Sequence, residues 1–333
     1  MPLPILVPIV LGAAGLFGLG KAAKAVMDNS EANDIAKSVE AIVVEAELGL
    51  EAGKNGCNMA LRCYGERKLH VIQRDIQHFV ELFGKLKNVE LAHSPELDRL
   101  QIGTFTEVSL QKLQHSCSFV SDLTASSAAG AGAGALTAFG AYGGTVMLAS
   151  AGTGTAIGTL SGAAATNATL AWLGGGTLAA GGYGVAGGTM VLGIMVAGPA
   201  LLVLGSVLGA QASKKIAEAK GNLEKAKTYA SEIGVVLEKL HAIEKVTAVG
   251  RDLLSSLQTR LYEANVSLSE AIKQSGLDYA KYSDPAKDIV FQSVKYAQLV
   301  KKVIDTPILN EDGALAGATL SGFQDVKTCL GSS

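Results

Sequence analysis

Charge is what this sequence lacks, and the lack is concentrated in one place. From Leu123 to Ser213 there is no Asp, Glu, Lys, Arg or His; charge stops at Asp122 and restarts at Lys214. Over all 333 residues the charged fraction is 17%, where about a quarter is usual for globular chains. A soluble domain of that size would need a charged surface, so no ordinary globular account of the block fits well, short of burying it within an oligomeric helical scaffold. Aromatics are also scarce, at 5%. The formal net charge is −2 and no basic stripe appears, which excludes a nucleic-acid footprint.

Other absences remove whole classes of chemistry. The four cysteines, Cys57, Cys63, Cys117 and Cys329, are too few and too irregular for a disulfide scaffold. Free thiols in a reducing compartment are expected. Gly152-x-Gly154 followed by Gly158 echoes a dinucleotide fingerprint, but no acidic residue follows before Glu218. That fingerprint needs an acid about 20 positions on, so it fails. The block has no Gly-Lys-Ser/Thr, so a phosphate loop is excluded as well. His70 and His78 are eight apart, which suits a solvated helix face better than a metal site. No nucleophile–base pair is readable; the chain is expected to be no enzyme and to hold no cofactor or metal. Asn167-Ala-Thr169 and Asn265-Val-Ser267 fit the glycosylation pattern, a short motif that is common by chance.

What is present is glycine and alanine. The chain has 40 glycines, and many fall at i, i+4: Gly130/Gly134, Gly140/Gly144, Gly154/Gly158/Gly162, Gly184/Gly188 and Gly205/Gly209. On a helix these pairs strip one face of bulk and let backbones approach closely. Residues 185–209, "VAGGTMVLGIMVAGPALLVLGSVLG", are long enough to span a bilayer. Pro199 within them is tolerable where neighbouring helices satisfy the freed carbonyl. Stretches 134–152 and 156–173 are weaker candidates. Trp172 stands beside Gly174-Gly175-Gly176, either at a turn near the headgroups or as a buried core aromatic. Residues 3–19 are apolar, with Lys21 and Lys24 after rather than before them, so a cleaved signal is not expected.

The flanks are amphipathic. Ile35, Val39, Ile42, Val43 and Ala46 define a helix over 31–53, with Ser30 or Asn33 as its cap. Leu69, Ile72, Ile76, Phe79, Phe83 and Leu86 alternate by threes and fours in a coiled-coil-like seam. A further helix is predicted over 104–123. After the block the same spacing runs from Ile216 through Leu240, shifts phase near Ile243, and continues to Leu261. One helix from 211 to 274 is predicted, bent or interrupted near Gly250. Asp284-Pro285 starts a last helix that Pro307 ends.

The fold class is therefore all-α: long antiparallel coiled-coil-like helices with a large uncharged, glycine-rich apolar helical membrane region. The chain divides into an apolar N-terminal helix (1–27), amphipathic helices (28–122), the membrane-inserting region (123–213), long amphipathic helices (214–306) and a loop-rich tail (307–333).

Amphipathic helices around a large apolar segment resemble the helical pore-forming toxins. The glycine-rich hairpin also resembles the insertion region of apolipoprotein-L-like proteins. The resemblance implies a stalk at 57–88 and 211–274, a head at 123–213 and an inserting N-terminal helix at 3–19. It implies a membrane-inserting protein that oligomerises with copies of itself and forms a pore or breaches a bilayer. Thr145, Thr153, Thr155, Thr159, Ser161, Thr166 and Thr169 are the candidates to line a wet surface. The alternative is a permanent membrane anchor whose coiled-coil helices bind a protein partner.

Overall fold

A computed structural model describes residues 30–91, 97, 98, 100, 102–127, 132–143, 216–310 and 313–331. Among them the chain is all-α, with two isolated β-bridges, Lys87 to Asp278 and Leu309 to Leu315, and no strand. Helix α1 spans Ser30–Val71 and continues through a π-helical turn, Ile72–Ile76, into α2, Gln77–Phe83. Then come α3, Glu107–Ser127, and α4, Gly132–Tyr142. Past the uncharged block are α5, Ile216–Ser275, α6, Asp284–Asp305, and α7, Thr319–Gly331. No helix among the described residues is long and apolar enough to cross a membrane.

Several expectations need correction. The separate helices read at 31–53 and from 57 onwards are one helix; Gly53 and Gly56 lie inside α1. Leu86 falls beyond the end of α2. Helix α5 runs through Gly250 without interruption. The tail read as loop-rich carries α7, and α6 is therefore not the last helix. Pro285 opens α6 as expected, and the helix ends at Asp305, two residues before Pro307.

The described residues fall in two units, one of 30–54 with 216–240, the other of the remainder. In the first unit, Val39 and Val43 of α1 pack with Ala226, Tyr229 and Ile233 of α5, and Ile35, Ile42, Leu223 and Leu237 extend the cluster. Apart from Tyr229, these are positions that the three-and-four spacing placed on one face. Tyr229 Oη lies 3.4 Å from Glu47 Oε1, and Gly53 sits against Leu237 and Leu240.

The second unit builds a larger core. Leu61, Tyr64, Ile72, Ile76 and Phe79 are buried in it, as are Leu254, Leu257, Leu261 and Leu268 of α5 and Val290, Val294 and Val300 of α6. Phe79, Phe83 and Phe105 form an aromatic cluster with centroids 5.2–6.0 Å apart. At the π turn, Asn265 Nδ2 donates to the Asp75 carbonyl at 2.9 Å.

The direction of the long helices differs from expectation. In the first unit Glu47 meets Tyr229, and Gly53 meets Leu237. In the second unit Gly56 meets Glu244, Arg67 meets Gln258 and Asp75 meets Asn265. Partners advance together, so α1 and α5 run parallel in each unit. A hydrophobic seam specifies which side chains meet and leaves direction open. Direction is set by the connection, and the long chain between α1 and α5 gives room for a crossover. Helix α6 runs the other way: its Ser293 reaches Ala264, and its Val303 reaches Tyr64.

Candidate functional site

Helix α4 and Gly143 are the last described residues before the bulk of the uncharged segment. They form its stem, and the stem is fastened in three ways.

The first is backbone contact. A Cβ on Gly65 would overlap Leu136 O and stand 3.1 Å from Gly140 N. A Cβ on Gly140 would overlap Leu61 O and stand 3.1 Å from Gly65 N. Two glycines thus face each other across α1 and α4, and neither tolerates a side chain in this packing.

The second fastening is Lys68, one turn along α1 from Gly65 and fully buried. Its Nζ lies 3.3 Å from both Phe139 O and Gly140 O, carbonyls of the last turn of α4. Such carbonyls lack some of their intrahelical donors, and a basic side chain at a helix C-terminus supplies them. The amine also stands 4.3 Å from the Tyr64 ring centroid and 5.7 Å from that of Phe139. Burial holds the Lys68 pKa down at about 7, and the Asp305 carboxylate pulls it back upward. Asp305 accepts a hydrogen bond from Lys301 through Oδ2, while its buried Oδ1 has no partner. Burial also raises the Tyr64 phenol, whose Oη donates to Val303 O at 3.4 Å.

The third is the turn that ends α4. Gly143 adopts φ +55°, and a Cβ there would overlap Ile304 O. Its N–H closes on Phe139 O at 3.0 Å, the usual glycine stop. Ala141 O then accepts both the Ile308 N–H, at 2.7 Å, and the Leu309 N–H, at 3.1 Å.

These contacts hold and orient the stem. The Lys68 amine is closed to solvent, beyond the reach of a substrate. Among the described residues no His/Cys/Asp/Glu group could hold a metal ion. His70 Nδ1 lies 3.4 Å from Gln258 Nε2, which donates to Asp75 at 2.9 Å. Desolvation raises the Asp75 pKa, against the Gln258 hydrogen bond and the nearby His70, Arg74 and His78. Cys57 and Cys117 are pushed up to about 12 and about 11, first by burial and then by Glu244 and Glu81 respectively, so neither is an activated thiol. Asn265 of the second glycosylation pattern is 1% exposed and hydrogen-bonded, so this fold hides it from a glycosylating enzyme.

Of the glycines singled out by spacing, Gly134 and Gly140 fall in α4, and Gly140 meets Gly65. Gly130, Gly144, Gly154, Gly158, Gly162, Gly184, Gly188, Gly205 and Gly209, with Trp172 and Pro199, lie outside the described residues. So do residues 3–19, Asn167 and the Thr and Ser positions of the candidate wet surface. Spacing among glycines missed Gly65 and Lys68. Their signal was present in α1: both sit among Leu61, Tyr64, Val71 and Ile72 on the buried face.

Comparison of the chain with protein-family models, curated proteins and solved structures finds no match.

Proposed function

We propose that the chain is a membrane-inserting helical protein that oligomerises and forms a pore or disrupts a bilayer. The observation that carries this reading is the absence of any ionisable residue from Leu123 to Ser213, between flanks that are richly charged. Lipid is the solvent that requires no charge of such a segment, and burying its apolar surface is worth roughly 25 cal/mol per Å². Glycines at i, i+4 let helices of one or several copies pack closely in lipid, where the hydrophobic effect between helices is missing. The amphipathic helices α1 and α5 remain outside, and the stem at α4 ties the inserting segment to them. Without charge in the block, the pathway is weakly ion-selective.

The test is to purify the chain without detergent and measure liposome co-sedimentation and dye release together. Deleting 144–213 leaves α4 and its contacts in place. The reading expects binding and release from the full chain and neither from the deletion variant. Release that survives the deletion sinks it. Binding without release makes the segment an anchor and moves the function to the helices outside.

A further inference from the structure

Gln298, Lys301, Lys302 and Asp305 follow one another at i, i+3, i+4 and i+7 along α6, which puts them on one face of the helix. Across from that face lie Phe105 and the start of α3 with Ser109 and Lys112. Between them is a pocket of about 250 Å³.

Two features of its lining are unspent. Lys301 is occupied by Asp305, but neither Lys112 nor Lys302 pairs with a carboxylate among the described residues. The pocket therefore has surplus positive charge. Two acceptors, Gln298 Oε1 and Asp305 Oδ1, are buried without a donor, while Gln298 Nε2 donates to Gly103 O at 3.4 Å. Gln298 is 93% buried as a residue, being 7% exposed. Native interiors leave few such groups without a partner. Both residues line the pocket, so these two acceptors lie in its wall.

We propose that this pocket binds a small phosphorylated polyol, of the glycerol phosphate type. The phosphate pairs with Lys112 and Lys302, which suits their charge. The hydroxyls donate to Gln298 Oε1 and Asp305 Oδ1, the two oxygens without a donor. The carbon skeleton rests on Phe105, which is 9% exposed. The volume lies below the usual range for drug-sized ligands, so a nucleotide is too large. Lys302 and Asp305 also border a second pocket of about 370 Å³ toward α7, but Asp325 adds a second carboxylate there against a single lysine, whereas three lysines face Asp305 in the first. The ligand chemistry is the same in a free sugar-alcohol phosphate and in the headgroup of a phosphatidylglycerol lipid. The proposal goes beyond membrane insertion and does not depend on it.

The experiment uses the full chain. Calorimetric titration with glycerol 1-phosphate is compared with inorganic phosphate and with glycerol. Co-sedimentation with phosphatidylcholine vesicles is compared with and without phosphatidylglycerol. Binding of glycerol 1-phosphate is expected to exceed that of phosphate, and glycerol alone to give no heat. Lys112→Gln and Lys302→Gln should each weaken binding about tenfold, the size of one charge-assisted contact. Gln298→Leu should weaken it less, with unchanged circular dichroism reporting that the fold is intact. Binding to free ligand with no vesicle preference identifies a soluble metabolite. A preference for phosphatidylglycerol that Lys302→Gln abolishes identifies the headgroup. Absence of binding to both probes, binding unchanged in the Lys112→Gln/Lys302→Gln double variant, or phosphate binding as well as glycerol phosphate overturns the proposal. Dye release by such a chain would leave the membrane reading standing, so the two failures are separable.

Discussion

Gly65 and Gly140 are reciprocal: a Cβ on either would stand 3.1 Å from the backbone nitrogen of the other and overlap a carbonyl oxygen of the facing helix. Backbone, unlike a flexible side chain, cannot step aside. Gly65→Ala and Gly140→Ala are therefore expected to destabilise by about 1–3 kcal/mol, the usual cost of overpacking. Helical glycines with open space beside them behave oppositely. Gly221 and Gly234 of α5 have nothing within 4 Å of an added Cβ, and Ala at either should stabilise by about 0.5–1 kcal/mol through helix propensity. Thermal melts of the four variants check the contrast; four changes of one sign would refute it.

Lys68 gives the stem a pH dependence. Its folded pKa, about 7, lies below the ordinary 10.5 of an unfolded lysine. Between those values the folded chain holds fewer protons than the unfolded chain, so stability rises with pH. This contribution is complete above about 10.5 and disappears as pH falls through 7. A few kcal/mol is the order of magnitude for such a shift. Wild type should gain resistance to denaturant between pH 7 and pH 9, and Lys68→Met should flatten that gain. Hydrogen exchange at residues 132–143 locates the effect. An unchanged slope in Lys68→Met would place the titration elsewhere.

Gly250 provides a test of packing inside unbroken helix. An added Cβ would meet the Phe323 ring at 2.8 Å and Tyr64 Oη at 3.0 Å. Gly250→Ala should therefore destabilise, by about 1–3 kcal/mol. Phe323→Leu alone should also destabilise, because it opens space in the core. The two together should cost less than their sum, since each relieves the other. Additive losses in a denaturant-based double-mutant cycle would mean that Gly250 and Phe323 are not in contact.

Asn265 is expected to matter through its donor rather than through glycosylation. Asn265→Ala leaves the Asp75 carbonyl at the π turn without its partner and should cost about 1–3 kcal/mol. Asn265→Asp keeps the size and removes the donor, and should cost at least as much. Variants as stable as wild type would remove the side chain from any role at the turn.

How far the sequence reveals this molecule differs by level. The helical segments and their buried faces are legible, because Val39, Val43, Ile72, Phe79, Ile233 and Leu257 recur at helical spacing and the interior accepts them for that reason. The join between the two halves of α1 was not, since Gly53 and Gly56 look like punctuation and instead give room to Leu237 and Glu244. The parallel course of α1 and α5 was not either, because a seam has no arrow. At the stem, Gly140 was legible from glycine spacing. Lys68 was not, because a lysine among apolar neighbours ordinarily points its amine outward. Its partners, Phe139 O and Gly140 O, are backbone atoms that any residue supplies, and no pattern of side chains announces them. Helix α7 was hidden by its glycines and short length, and Phe323 and Val326 are what bury it.

The double acceptance at Ala141, whose carbonyl takes the N–H of both Ile308 and Leu309, has a mechanical consequence. Tension on the uncharged segment would reach Ala141 through the main chain and pass directly to the strap after α6. Whatever pulls that segment outward would have to break this strap or carry α6 and α7 along with it.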